Sequence, residues 1–182
     1  MKNILRKMLK NRLALSTVIT TLIILVVSVL LAGVVTYFAI NVVSTRVQQE
    51  SVQVSFAHVW VDASGNAVGA LMLTNTGGRD VVINQIAVRG QPAFPAGTAY
   101  TSTATPGTDL TAKSATVLGA APYVSTTGPV VLSSGSSINV YIGSPGSVST
   151  SDIGTSIAFT VFTAQATYYQ ETNVQASSTS LA

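Results

Sequence analysis

Side chains that do catalytic or metal chemistry are scarce in this sequence. Its 182 residues include a single histidine, His58, and no cysteine. Zinc centres and blue-copper centres rely on several histidine and cysteine ligands, so neither is expected in its usual form. The six acidic residues are scattered singly, and no two form a local acid–base pair: Glu50, Asp62, Asp80, Asp109, Asp152 and Glu171. We therefore expect no enzyme activity, no bound metal and no cofactor.

Two further features resemble functional motifs but fit structural roles better. His58 alternates with Phe56 and Trp60, which is typical of a histidine that is satisfied in a core or at its rim. The pair Gly77-Gly78 lies between two predicted strands rather than before a helix, so it does not match a phosphate-binding loop. Neither feature predicts a reaction.

Basic charge is concentrated at the N-terminus. The formal net charge is +3, from nine basic and six acidic residues. Five of the nine lie in the first twelve positions, where there is no acid: Lys2, Arg6, Lys7, Lys10 and Arg12. The rest of the chain is net acidic and has no basic run, so we do not expect nucleic acid as a partner.

A long apolar segment follows this basic leader. Residues 13–45 carry no charge, and nearly every side chain from Leu13 to Val43 is aliphatic. The segment exceeds the ~20 residues that span a bilayer, and it is about twice the length of a signal-peptide core of ~7 to 15 residues. The positive-inside rule places the N-terminus in the cytoplasm and the residues from about Arg46 onward outside.

The apolar residues would cover every side of a helix rather than one face. Exposing about twenty aliphatic side chains to water would cost on the order of 30 to 60 kcal/mol, which excludes a free soluble monomer. Lipid or a bundle of identical helices would satisfy the segment. Ser28, Ala32 and Thr36 recur at a spacing of four, which permits close helix approach but is also ordinary transmembrane composition. The residues expected to pack in such a bundle are Ile19, Leu22, Ile23, Val26, Ser28, Leu30, Ala32, Gly33, Thr36, Tyr37 and Ile40.

From Ser51 onward the apolar pattern changes to the alternation of β-strands. The first predicted strand places Val52, Val54, Phe56, His58 and Trp60 on one face. Before it, Arg46 and Glu50 lie four residues apart and are expected to pair on the stalk that leaves the helix.

Several short strands are predicted beyond the first. Val68 to Thr74 and Val81 to Val88 flank a turn and suit a hairpin. The region from Gly90 to Gly128 has weak periodicity and is expected to form mainly surface loops. Further strands are predicted at Ala115 to Leu118, Pro129 to Leu132, Ser137 to Ile142, Ser156 to Ala164 and Ala166 to Tyr169. The predicted fold is α+β, a long apolar helix followed by an immunoglobulin-like β-sandwich.

The residues around the leader carry a family resemblance. The run from Lys10 to Ile19, K-N-R-L-A-L-S-T-V-I, leads directly into the aliphatic helix. It resembles the precursor region of archaeal type IV pilin-like proteins, in which a prepilin peptidase removes a short basic leader ahead of the helix. Bacterial pilins usually have a glutamate near the fifth mature position, where this chain has Ile19, so the resemblance is to the archaeal branch.

The resemblance implies a processing site and a division of the chain. Cleavage is expected between Ala14 and Leu15, with Arg12 and Leu13 completing the site. Residues 1–14 would be the leader, residues 15–50 the filament-core helix and stalk, and residues 51–182 an extracellular head.

The resemblance also implies a function. The chain would be a pilin, held in the membrane before assembly and added by the pilus assembly machinery to an extracellular helical homopolymer that serves adhesion. A swimming filament of the archaellin kind is a close variant. The residues alone also leave open a monomeric binding domain that uses the same helix only as a membrane tether.

Overall fold

One helix, α1 (Lys2–Val47), precedes the β-rich part of the chain. The computed structural model describes the backbone of residues 2–47, 49–94, 98–102 and 110–182, and the side chains of residues 15–45, 49–94, 99–102 and 110–182. Helix α1 contains no proline and one glycine, Gly33, so nothing in its sequence interrupts the helical hydrogen bonds. The chain divides into two compact units, Met1–Arg46 and Val47–Ala182.

The second unit contains ten strands among its described residues, together with a short helix α2 (Ala115–Leu118) and a 3₁₀ turn at Thr150–Asp152. The strands are β1 (Val52–Val61), β2 (Ala67–Asn75), β3 (Val81–Val88), β4 (Gln91–Phe94), β5 (Thr98–Ser102), β6 (Val124–Thr126), β7 (Val130–Leu132), β8 (Ser137–Gly143), β9 (Ser156–Thr163) and β10 (Thr167–Ala176).

All ten strands belong to one curled sheet. Its order is β4-β3-β9-β10-β1-β2-β8-β5-β6, and β7 pairs with β3 beside this path. The first and last strands of the sequence, β1 and β10, pair in parallel, with Val59 opposite Val174. This pairing joins the layer β1-β2-β8-β5-β6 to the layer β10-β9-β3-β4, and the predicted α+β class is confirmed.

The main core lies between the two layers. It includes Leu71 and Val140 from the first layer and Ile86 and Phe159 from the second, all of them buried. Packing across the layers is close, because a β-carbon at Gly69 would lie 3.0 Å from Cζ of Phe159. Such a close-packed core stabilises the curled sheet chiefly through burial of apolar surface.

A second apolar cluster lies on the outer face of the first layer. Residues 110–123 and the C-terminus cover this face, where Tyr123 packs edge-on against Tyr141 with ring centroids 5.4 Å apart. The buried members of the outer cluster are Trp60, Val68, Ala70, Leu118, Tyr123, Tyr141 and Leu181. The first layer is therefore apolar on both faces.

The alternation predicted for β1 is wrong at the middle of the strand. The register with β2 shifts between Ser55 and His58, and Phe56 has a positive φ of 49°. A β-bulge inserts one residue and moves all later side chains to the opposite face. Val52 and Val54 therefore face the main core, whereas His58 lies beside Trp60 on the outer face.

The predicted hairpin of the second and third strands is also wrong. Strand β2 pairs with β1 and β8, whereas β3 pairs with β4, β7 and β9, so the connection crosses between layers. The buried side chain of Asn75 binds three backbone groups at this crossing between the layers. Its Nδ2 donates to the carbonyls of Arg79 and Leu132, and its Oδ1 accepts from the amide of Gly77.

The region from Gly90 to Gly128 is more ordered than predicted, since β4, β5, α2 and β6 lie within it. The predicted strand Ala115 to Leu118 is a helical turn, because the Ser114 side chain caps it by accepting from the Val117 amide. The last strand extends to Ala176, well beyond the predicted Tyr169.

Candidate functional site

Residues 15–45 of helix α1 display an apolar surface on all sides. Every described side chain from Leu15 to Thr45 is exposed, and its large apolar side chains range from 45% exposed at Val42 to 73% at Tyr37. The segment Leu15–Thr45 has a mean hydropathy of 3.0 and is long and apolar enough to cross a membrane. By length and composition it suits a membrane anchor or a signal sequence.

The polar side chains of this segment are largely satisfied by the helix itself. Five hydroxyls and one amide donate to a carbonyl three or four residues earlier, at 2.8 to 3.0 Å: Thr20, Thr21, Ser28, Thr36, Asn41 and Thr45. Such local bonds remove much of the cost of placing these groups in an apolar medium. The helix therefore suits lipid or a dry bundle despite its hydroxyls.

The eleven residues predicted to pack in a filament all lie on the described part of α1, and all are exposed. Ser28, Ala32 and Thr36 fall along one side, and a β-carbon at Gly33 would meet no other atom within 4 Å. The structure places these residues on one continuous helix, and their packing in a filament stays a prediction.

The predicted cleavage site lies within α1. The helical backbone continues through Arg12, Leu13, Ala14 and Leu15, and Leu15 is exposed. The side chains of the first three lie outside the described residues. Cleavage at this site stays a prediction.

We call the second compact unit, Val47–Ala182, the β domain. Within it, the residues that enter β1 are held by contacts that the sequence did not predict. The carbonyl of Ser51 accepts from the amides of Thr76 at 2.9 Å and Gly77 at 3.1 Å. The hydroxyls of Ser51 and Thr76 are 2.8 Å apart. We give the name junction clamp to these contacts of Ser51, Thr76 and Gly77, together with the contact between Glu50 and Thr163 that is described next.

Glu50 completes the junction clamp. Its carboxylate accepts a hydrogen bond from the hydroxyl of Thr163 at the end of β9. Burial raises the pKa of the neighbouring Tyr168, and the negative charge of Glu50 raises it further. The predicted pairing of Glu50 with Arg46 stays a prediction, because the Arg46 side chain lies outside the described residues.

The other polar clusters support the fold. Asp152 accepts from the amide and hydroxyl of Ser149 and from Nη1 of Arg89 at 2.7 Å, and these bonds lower its pKa.

His58 stacks on Trp60 with ring centroids 5.3 Å apart. Its buried Nδ1 has no hydrogen-bond partner in the described structure, so the prediction of a satisfied histidine is wrong for this atom.

Within residues 15–45, 49–94, 99–102 and 110–182, no three histidine or acidic side chains gather as a metal site would require. No protein-family model matches the chain, and no curated protein matches it.

Proposed function

We propose that this chain is a structural subunit of an extracellular filament, of the type IV pilin-like kind, and not an enzyme. The observation that carries the proposal is that every described side chain of the apolar segment Leu15–Thr45 is exposed. So large an apolar surface requires an apolar environment while the chain is being made and also afterwards.

Two environments meet this requirement in succession. The hydrocarbon core of a membrane holds the helix before assembly, and a bundle of identical helices holds it in the filament. Because five hydroxyls of α1 already bond to their own helix, transfer from one environment to the other leaves few polar groups to satisfy. The apolar area buried changes little in that transfer.

The processing and orientation follow from the resemblance and the charges. The basic N-terminus stays in the cytoplasm, and a prepilin peptidase cuts near Ala14. The assembly machinery then adds the subunit to a filament that displays the β domain and serves adhesion or, in the archaellin variant, swimming. The β domain has its own core, so it supplies a folded outer surface.

Mass spectrometry of filaments sheared from the cells that make this chain tests the proposal. We expect peptides from the β domain and from a mature N-terminus near Leu15, and no peptides from Met1 to Arg12. Filaments that retain the leader would overturn the processing step. Loss of the gene without loss of any filament would overturn the function in favour of a monomeric tethered domain.

A replacement of Leu22 to Leu31 by a generic leucine and alanine segment of equal length separates the same alternatives. A tether tolerates the change, because any apolar helix of this length spans the bilayer. A filament core does not, because its packing depends on side-chain shape. Membrane fractionation of the variant confirms that insertion is retained.

A further inference from the structure

The last six residues, 177–182, leave the sheet and form what we call the C-terminal tail. The amide of Ser177 donates to the carbonyl of Val61 at 2.8 Å, directly after β10 ends. Residues 178–180 are then exposed, whereas Leu181 is only 2% exposed. The tail is therefore held at its base and at one buried side chain, with an exposed polar segment between them.

Leu181 fills an apolar groove on the outer face of the first layer. It packs in the cluster formed by Trp60, Leu118, Tyr123 and Tyr141. Its carbonyl accepts from the amide of Ala115 at 3.2 Å, at the start of α2. The groove thus contacts both the side chain and the backbone of Leu181.

Asp62 supplies the charged part of this groove. The residue is 4% exposed, and its Oδ2 accepts the amide of Leu181 at 2.9 Å. The remaining bonds to Asp62 come from its own turn: Oδ1 accepts the amides of Ser64 and Asn66, and Oδ2 accepts Nδ2 of Asn66. These local bonds hold the carboxylate in position independently of the tail, so the acceptor for the Leu181 amide is built in advance.

We propose that this groove is a peptide-docking site, filled by the chain's own tail as a reversible latch. Its ligand class is an extended segment that presents a leucine-sized side chain together with its backbone N–H and C=O. A short tether gives the tail an effective concentration in the millimolar range, so a weak intrinsic affinity keeps the latch closed. The proposal does not depend on filament formation.

The chain's single tryptophan reports on the latch. Trp60 belongs to the groove and is 8% exposed with the tail in place. The test uses the full chain in detergent, a variant that ends at Ala176, and acrylamide quenching of Trp60 fluorescence. Removing the tail is expected to raise the quenching constant about twofold, because one side of the indole loses its apolar cover.

Adding back a synthetic peptide with the sequence of residues 177–182 distinguishes docking from general loosening. The peptide is expected to restore low quenching in the shortened chain at about 1 to 10 mM, and the same peptide with Leu181→Ala is not. Failure of the wild-type peptide over this range, or unchanged quenching after removal of the tail, overturns the proposal.

Point variants of the full chain carry the test if the shortened chain does not fold. Leu181→Ala is expected to raise quenching in the same direction, and the wild-type peptide should reverse the rise. The matched control is Ser180→Ala, because Ser180 is exposed one residue away. Equal quenching in the two variants overturns the latch.

Discussion

Gly77 lies so close to Ser51 that a β-carbon at position 77 would be 2.8 Å from the Ser51 amide nitrogen. The same β-carbon would lie 2.7 Å from the carbonyl oxygen of Gln49. Both neighbours are backbone atoms, which a rotamer change cannot move. The β2–β3 turn and the chain entering β1 therefore fit together only with glycine at this position.

Gly77→Ala is expected to destabilise the β domain by about 1 to 3 kcal/mol, because the junction clamp must open to admit the methyl group. Urea unfolding of the detergent-solubilised chain measures the change. Gly128→Ala is the matched control, since a β-carbon there meets no atom within 4 Å. Equal stability of the two variants would contradict close packing of Gly77 against the backbone of Gln49 and Ser51.

Asn75→Ala is expected to cost about 2 to 4 kcal/mol, because it leaves the buried carbonyl of Leu132 and two neighbouring backbone groups without their side-chain partner. Denaturant unfolding again measures the change. Asn84 is exposed in β3, and Asn84→Ala should alter stability by less than about 0.5 kcal/mol. A similar loss in both variants would mean that the Asn75 bonds do not stabilise the crossing between layers.

Gly69→Ala tests the contact between the two layers. The added methyl group would lie 3.0 Å from the ring of Phe159, and we expect a loss of about 1 to 3 kcal/mol. In a Phe159→Leu background the same substitution should cost less, because the shorter side chain leaves room. A double-mutant cycle from thermal unfolding measures the coupling, and purely additive losses would refute the contact.

The pKa values of Asp62 and Asp152 predict how acid affects the fold. The amide of Leu181 chiefly lowers the pKa of Asp62, and the hydroxyl of Ser149 chiefly lowers that of Asp152. A lowered folded-state pKa contributes stability that is present above the unfolded value of 3.8 and is lost as pH falls through the folded value.

We therefore expect the melting temperature of the β domain to fall as pH drops below about 4. Calorimetry of the wild type and of Asp152→Asn measures the effect, and the variant should show a shallower fall over this range. A melting temperature that rises on acidification, or identical slopes for both proteins, would show that these carboxylates do not control acid stability.

Local patterns predicted several parts of the structure well. The uncharged residues 13–45 predict a helix because their apolarity has no period of two and no proline interrupts it. Strands such as Val81–Val88 and Ser137–Gly143 follow from short runs rich in β-branched residues between turn residues. The predicted pairing of β2 with β3 was wrong, because the partner that a strand takes depends on contacts between segments far apart in sequence.

The candidate sites divide in the same way. The apolar surface of residues 15–45 was evident from composition, because a helix built almost entirely of aliphatic residues is apolar on every side. The junction clamp was not evident, since Ser51, Thr76 and Thr163 are ordinary polar residues whose separation along the chain hides their contact.

The sequence by itself determined that a long apolar helix precedes a β domain, because the helical and strand periodicities are local properties of the chain. Only the tertiary structure decided that β1 is bulged, that its end pairs with β10, and that Leu181 fills a groove beside Asp62. These features arise where distant segments compete for the same space and the same hydrogen-bond partners, and a one-dimensional pattern does not encode that competition.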